Sequence, residues 1–134
     1  MTNEAILQKL QELTQGLYFL SESDYPLEVV HLDNVEAGGI SDADVAQFVG
    51  QPTDVKVETV DLAYFLRNMT RTEPEADEAE SKIAERYQAL QAFMEQHLSD
   101  VKVYRIGRRE ITALALGTMP EGGRCGFKTI LIET

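Results

Sequence analysis

The sequence has few basic residues, a single cysteine and no tryptophan, and the first two shortages each exclude a class of protein. Its 134 residues include 12 Lys and Arg against 23 Asp and Glu, which gives a formal net charge of −11. Phosphate binding requires a basic surface, so we expect neither a dedicated nucleic-acid binder nor direct binding to an anionic membrane. The lone Cys125 can form neither an internal disulfide nor a zinc site by itself.

Long apolar runs are also absent. No stretch approaches the roughly 18 apolar residues of a transmembrane helix. Glu4, Lys9 and Glu12 interrupt the region where a signal peptide has a continuous apolar segment. We therefore expect a soluble, acidic, cytoplasmic protein. Since 43% of the residues are hydrophobic, the chain can bury a core, and its length predicts one domain over residues 1–134.

The negative charge is unevenly distributed along the chain. Residues 1–100 contain 6 basic and 20 acidic residues, whereas residues 101–134 contain 6 basic and 3 acidic ones. Five carboxylates lie between Glu73 and Glu80 alone. Two interpretations remain open: the acidic helices keep the protein in solution, or they form a surface that attracts a basic partner.

Hydrophobic spacing and capping residues predict four helices. They are expected over residues 3–15, after a Ser41/Asp44 capping box, from Asp61 to about Asn68, and from a Thr72/Glu75 capping box to about Leu98. Pro74 falls in the first turn of the last helix, where its missing N–H costs little. The apolar stripe of that helix is expected to comprise Ile83, Tyr87, Leu90, Met94 and Leu98, with Phe93 beside it.

Short β-branched or alternating segments predict the strands. They are residues 27–32, a segment around Val55 and Val57, residues 101–106, a return strand from Ile111, and residues 126–133. Gly107-Arg108 resembles a two-residue hairpin turn. In the return strand Leu114 and Leu116 face one side, while Ile111 and Ala115 face the other. A sheet with two apolar faces must be covered on both, so the pattern predicts an α+β fold: a three-layer α/β/α sandwich with a mainly antiparallel sheet.

The residue types that carry catalysis or bind metals are sparse. His31 lies in an apolar strand, His97 near a helix end, and Cys125 has no neighbouring histidine in the sequence, so structural roles are expected for them. Segment 21–26, SESDYP, supplies Glu22 and Asp24. Two carboxylates are too few for a metal site made by the protein alone. The segment is consistent with a solvated turn or, less well, with the carboxylate pair of a small hydrolase; no cofactor and no metal of its own are predicted.

Three segments resemble the nuclease A inhibitor family. They are GLYFLSESDYPLEV at 16–29, VYRIG at 103–107, and the last strand with its terminal Glu133-Thr134. The similarity covers nearly the whole chain. Members of the family are not enzymes; they inhibit a sugar-non-specific DNA/RNA endonuclease that uses magnesium, and their fold is an α/β/α sandwich.

The resemblance also implies which residues bind the partner. Glu22 occupies the position of the acidic residue that enters the nuclease active site, and Thr134 that of the terminal threonine, which reaches the magnesium region of the enzyme. The partner-binding residues predicted are Glu22, Asp24, Glu75 and Thr134. The expected partner is a sugar-non-specific nuclease, with neither nucleic acid nor a membrane bound directly.

One feature departs from the family pattern. Members can carry a tryptophan in the loop before the long helix, where it anchors the enzyme, whereas residues 72–76 here read TEPEA. Buried aromatic side chains often dominate interface energies. An alternative function is therefore retained: an acidic protein-interaction module of the same fold that does not bind a nuclease.

Overall fold

The structure, a computed structural model, describes residues 1–20, 24–32, 41–71, 74–75 and 77–133. Its helices are α1 Asn3–Thr14, α2 Asp42–Phe48, α3 Leu62–Phe65, α4 Arg67–Thr70 and α5 Glu78–His97. Its strands are β1 Tyr18–Leu20, β2 Asp24–Pro26, β3 Glu28–Leu32, β4 Val57–Asp61, β5 Ser99–Ile106, β6 Glu110–Thr118 and β7 Arg124–Ile132. The predicted mixture of helices and strands is confirmed.

The first two helices begin and end where their capping residues predict. The Thr2 hydroxyl accepts a hydrogen bond from the backbone N–H of Ala5 at the start of α1, and Gly16 follows the helix with a φ of +70°. Glycine adopts this left-handed conformation without the penalty that a Cβ imposes. At α2, Ser41 and Asp44 form both hydrogen bonds of the predicted capping box.

The helix predicted from Asp61 to Asn68 is divided into two short helices. α3 ends at Phe65 and α4 begins at Arg67, so the helical path is interrupted at Leu66. Asp61 precedes α3 but its side chain does not cap it; its carboxylate instead accepts a hydrogen bond from Lys102 Nζ at 2.9 Å. The carboxylate is engaged by the neighbouring strand β5, a contact that local spacing does not reveal.

The predicted start of the long helix is wrong. α5 begins at Glu78, and the carboxylate of its N-cap residue Asp77 accepts from the backbone N–H of Glu80 at 2.8 Å. Pro74 and Glu75 lie in a turn before the helix, and Thr72 lies outside the described residues. The pairs Thr72/Glu75 and Asp77/Glu80 have the same three-residue spacing, and the local sequence does not show which pair caps the helix.

The apolar stripe of α5 is correct apart from its first member. Tyr87, Leu90 and Met94 are completely buried, whereas Ile83 is 39% exposed and its neighbour Ala84 is buried in its place. Both positions are within one helical turn of Tyr87, so periodicity alone does not show which of the two is buried. In the described part of the chain, no helix is long and apolar enough to span a membrane.

Five strands form one antiparallel sheet in the order β3-β7-β6-β5-β4, which confirms the predicted sheet type.

The predicted two-residue turn at Gly107-Arg108 is wrong, because β5 ends at Ile106 and β6 begins at Glu110. The Gly107 N–H donates to Lys56 O, which lies just before β4, so the first turn residue is engaged outside the hairpin. Gly107 has a φ of +113°, and a Cβ there would lie 2.5 Å from Glu110 O.

Apolar side chains cover both faces of this sheet. On β6, Ala113 and Ala115 belong to a large core cluster that includes buried residues of α1, α3 and α5. Leu114 and Leu116 of the same strand belong to a smaller cluster that includes Val45 and Ala46 of α2. The predicted alternation along this strand is therefore confirmed.

Candidate functional site

A short hairpin carries the segment that the sequence singles out. β1 pairs with β2 in antiparallel register, with Tyr18 opposite Pro26 and Leu20 opposite Asp24. The prediction that residues 21–26 form a loop is wrong for Asp24–Pro26, which are a strand. Serines and a proline typify a turn, but here the proline lies at the end of a two-stranded edge, where its missing N–H is tolerated. Glu22 lies outside the described residues.

The hairpin is fixed to the long helix. Tyr87 Oη of α5 donates to Tyr18 O at 2.6 Å. Arg86 Nη2 donates to Leu13 O at 3.1 Å and to Gln15 O at 2.6 Å, at the end of α1. Burial raises the pKa of the Tyr87 phenol, so it remains a protonated donor throughout the physiological range. Tyr87 therefore holds the start of β1, and Arg86, at the preceding position of α5, holds the end of α1.

The hairpin is also bound to the last strand of the sheet. Thr129 Oγ1 of β7 donates to Tyr25 O at 3.3 Å, and the Leu27 N–H donates to Leu17 O at 3.0 Å. β3 runs antiparallel to β7, with Glu28 opposite Lys128. This register directs the segment that precedes Glu28 towards the end of β7. If Glu22 and Thr134 are both to act at one end of the sheet, β3 must run in this direction relative to β7.

Asp24 lies at an apolar pocket of about 290 Å³. The pocket is lined by Gly16, Leu17, Tyr18, Asp24, Ile83 and Arg86. Tyr18 is 49% exposed and Ile83 is 39% exposed. Two large apolar side chains that reach solvent therefore line the same pocket as the exposed Asp24 carboxylate. Sequence reasoning missed both, because an apolar residue at helical spacing is expected to be buried, and because β1 itself was not predicted.

Glu75 is exposed in the turn that precedes α5. Among the described residues, no hydrogen bond or ion pair connects it to Asp24. The structure therefore leaves Glu75 available at the surface without joining it to the hairpin.

The end of β7 forms a second polar surface. The Glu133 N–H donates to Arg109 O at 2.8 Å, and the Glu133 carboxylate accepts from Arg105 Nη2. Arg105 Nη1 also lies 3.5 Å from Glu58 Oε2 on β4. A pocket of about 240 Å³ adjoins these groups; its lining is Phe19, Val60, Tyr64, Phe65, Arg67, Asn68, Arg105, Leu131 and Glu133. Thr134 lies outside the described residues, and the sequence contains no local signal for Arg105.

Cys125 and His97, whose side chains could in principle serve catalysis or bind a metal, have the surroundings of structural residues. Burial raises the pKa of Cys125 to about 11, which leaves a protonated thiol at neutral pH. His97 lies against Phe93 with a ring-centroid distance of 4.7 Å. Among the described residues, no group of three or more His, Cys, Asp or Glu side chains is arranged to hold a metal ion.

Comparison with known protein families supports the resemblance that was based on residues 16–29, residues 103–107 and the last strand. No curated protein matches the chain significantly. Residues 4–134 match the family described as nuclease A inhibitor-like protein, which is nearly the full chain. The protein therefore belongs to the nuclease A inhibitor-like family and is an inhibitor of a nuclease protein rather than an enzyme.

Proposed function

We propose that this protein inhibits a magnesium-dependent, sugar-non-specific DNA/RNA endonuclease by inserting Glu22 and Thr134 into its active site. The observation that carries the proposal is the antiparallel register of β3 on β7, which directs the segment before Glu28 towards the end of β7. The hydrogen bond from Thr129 Oγ1 to Tyr25 O supports the same placement of the hairpin. Two groups distant in sequence then act from one end of the sheet.

The chemistry of such inhibition follows from the charge of the natural substrate. A nuclease site uses a metal ion and basic groups to bind the scissile phosphate and to stabilise the charge that develops on it. The Glu22 carboxylate replaces that phosphate charge and offers oxygen ligands to the partner's magnesium. Since the carboxylate contains no bond that the enzyme can hydrolyse, the site remains blocked.

A rigid support makes the insertion effective. The hairpin is tied to α5 through Tyr87 and to β7 through Thr129, and Arg86 holds the end of α1 that precedes it. Groups held in their bound geometry lose less conformational entropy on association than groups on a flexible loop.

We also propose that the whole fold is a three-layer α/β/α sandwich, supported by the apolar clusters on both faces of the sheet.

The surface around the inserted groups is proposed to bind the nuclease as well. Asp24 and Glu75 supply exposed carboxylates, and Tyr18 and Ile83 supply apolar area beside Asp24. Aromatic residues are enriched in the buried centres of protein interfaces. We infer that Tyr18 and Ile83 pack against the nuclease, while Asp24 and Glu75 face basic residues at its rim.

The inserted carboxylate is tested by substituting Glu22. Glu22→Ala leaves the metal and basic groups of the nuclease without their partner in a desolvated interface, which costs about 2–5 kcal/mol, or roughly 30- to 4,000-fold in the inhibition constant. Glu22→Gln retains the shape and removes the charge, so it separates electrostatics from packing. Inhibition constants are measured against a sugar-non-specific nuclease in magnesium buffer.

Glu95→Gln is the matched control, because Glu95 is an exposed residue in the C-terminal part of α5. It is expected to change the inhibition constant by less than about 0.5 kcal/mol. Unchanged inhibition by Glu22→Ala, or an equal loss from Glu95→Gln, contradicts the proposed mechanism while the family assignment stands.

The absence of tryptophan favours a second candidate function, an acidic interaction module of the same fold. A module of this kind binds a basic protein surface without occupying a nuclease active site. A pull-down with a magnesium-dependent nuclease separates the two: retention with loss of nuclease activity supports inhibition, whereas no retention supports the module.

A further inference from the structure

Glu133 is anchored at two points immediately before Thr134. Its backbone N–H donates to Arg109 O in the β5–β6 turn at 2.8 Å. Its carboxylate accepts from Arg105 Nη2 on β5, two strands away from β7 in the sheet. One bond orients the backbone and the other orients the side chain, so this position is defined by the sheet rather than by β7 alone.

Arg105 is itself held in place. It lies opposite Glu58 in the β4–β5 register, and its Nη1 is 3.5 Å from Glu58 Oε2. The Arg105 side chain is 20% exposed, while those of its two carboxylate partners are each 48% exposed. A guanidinium presents several N–H donors in a fixed plane, which suits it to bridge two carboxylates.

This arrangement differs from the other cross-strand ion pairs of the sheet. Lys102 with Asp61 and Lys128 with Glu28 each join one lysine to one carboxylate on directly paired strands. Isolated exposed pairs of that kind contribute little. The Arg105 contact instead spans from β4 to the end of β7 and acts together with a backbone hydrogen bond on the same residue.

We propose that Arg105 is a positioning residue that holds Glu133 and thereby orients the end of the chain for contact with the nuclease. The inference rests on the proposed function for its second half, since orientation matters for inhibition only if Thr134 enters the active site. Because Glu133 is held before binding, less conformational entropy is lost on association, so Arg105 contributes to affinity without touching the enzyme.

The first test needs no nuclease. Amide hydrogen exchange of Glu133, followed by NMR, is compared among the wild type, Arg105→Gln, Glu133→Gln and Lys102→Gln. The first two variants each break the contact with Glu133 and are expected to lower its protection factor about fivefold. Lys102→Gln removes a different ion pair of the same strand, the one with Asp61, leaves the contact with Glu133 in place and serves as the matched control. Unchanged protection in both Arg105→Gln and Glu133→Gln overturns the inference; if Arg105→Gln fails to fold, Glu133→Gln decides it.

The second test measures inhibition of a sugar-non-specific nuclease by the same variants. Arg105→Gln and Glu133→Gln are expected to raise the inhibition constant about fivefold, and Lys102→Gln to leave it nearly unchanged. In a chain lacking Thr134, the effect of Arg105→Gln should disappear. A loss of equal size in that background overturns the positioning role. If the wild type inhibits no nuclease, the proposed function fails, and the exchange measurement still decides whether Arg105 holds Glu133.

Discussion

Burial governs the behaviour of the single thiol. Cys125 is completely buried in β7, opposite His31 on β3 and Gly117 on β6. The surrounding apolar atoms disfavour the thiolate and raise the pKa of Cys125 from 9.0 to about 11. The side chain is therefore a small core residue rather than a nucleophile, as expected from a cysteine with no histidine nearby in the sequence.

Stability should fall at alkaline pH because of this residue. The folded protein retains the thiol proton more strongly than the unfolded chain does, so the free energy of unfolding decreases as pH rises through the interval from 9 to 11. The contribution lost is about 2 kcal/mol. Urea unfolding at pH 8 and pH 10.5 measures it.

Cys125→Ala is the control for the alkaline effect. The variant leaves a cavity and is less stable at pH 8, but it lacks the titrating thiol. Its free energy of unfolding should therefore fall less between the two pH values than that of the wild type. Tyr87, whose pKa burial also raises, is present in both proteins and cancels in the comparison. Equal decreases in both proteins contradict the assignment to Cys125.

The start of α5 shows how an element boundary is decided. Asp77 caps the helix through Glu80, although Thr72 and Glu75 offer the same spacing five residues earlier. Asp77→Ala is expected to lower the free energy of unfolding by about 1 kcal/mol, because the N–H of Glu80 loses its acceptor. Asp77→Asn retains an acceptor oxygen and should cost less. Thermal unfolding measures both, and an equal loss contradicts capping as the cause.

Local patterns in the sequence predict most of the elements. The helices α1 and α2, the strand β3 and the buried row of α5 follow from spacing and capping alone, because neighbouring residues decide them. The β1–β2 pairing does not follow, since three-residue strands carry too little periodicity and depend on Tyr87 and Thr129 from distant segments.

The residues of the candidate site also differ in how far the sequence predicts them. The roles of Glu22 and Thr134 come from a resemblance to a family, whereas Asp24 and Glu75 are carboxylates of acidic segments to which the sequence alone gives no specific role. Arg105 has no local signal at all, because its partners Glu58 and Glu133 lie 47 and 28 residues away in the chain. Contacts of this range arise only when the strand order of the sheet is known.

Over the whole molecule, the charge is strongly negative. Residues 1–100, with 6 basic and 20 acidic residues, carry all of the net negative charge, and they include the hairpin, Glu58 and the turn before α5. The proposed binding surface thus lies on a negatively charged protein, and a nuclease must be basic where it binds nucleic acid. Fields of opposite sign accelerate encounter between two proteins, and salt screens them.

The association rate constant with a nuclease should therefore depend on salt much more than the dissociation rate constant does. Between about 0.05 and 0.5 M ionic strength we expect association to slow roughly tenfold and dissociation to change less than about threefold, because long-range attraction is screened while buried contacts are not. Stopped-flow mixing measures both. Glu75→Gln should slow association at low salt more than Glu95→Gln, since Glu75 lies at the proposed rim and Glu95 in the distal half of α5. An association rate that is independent of salt would mean that the acidic surface serves solubility alone.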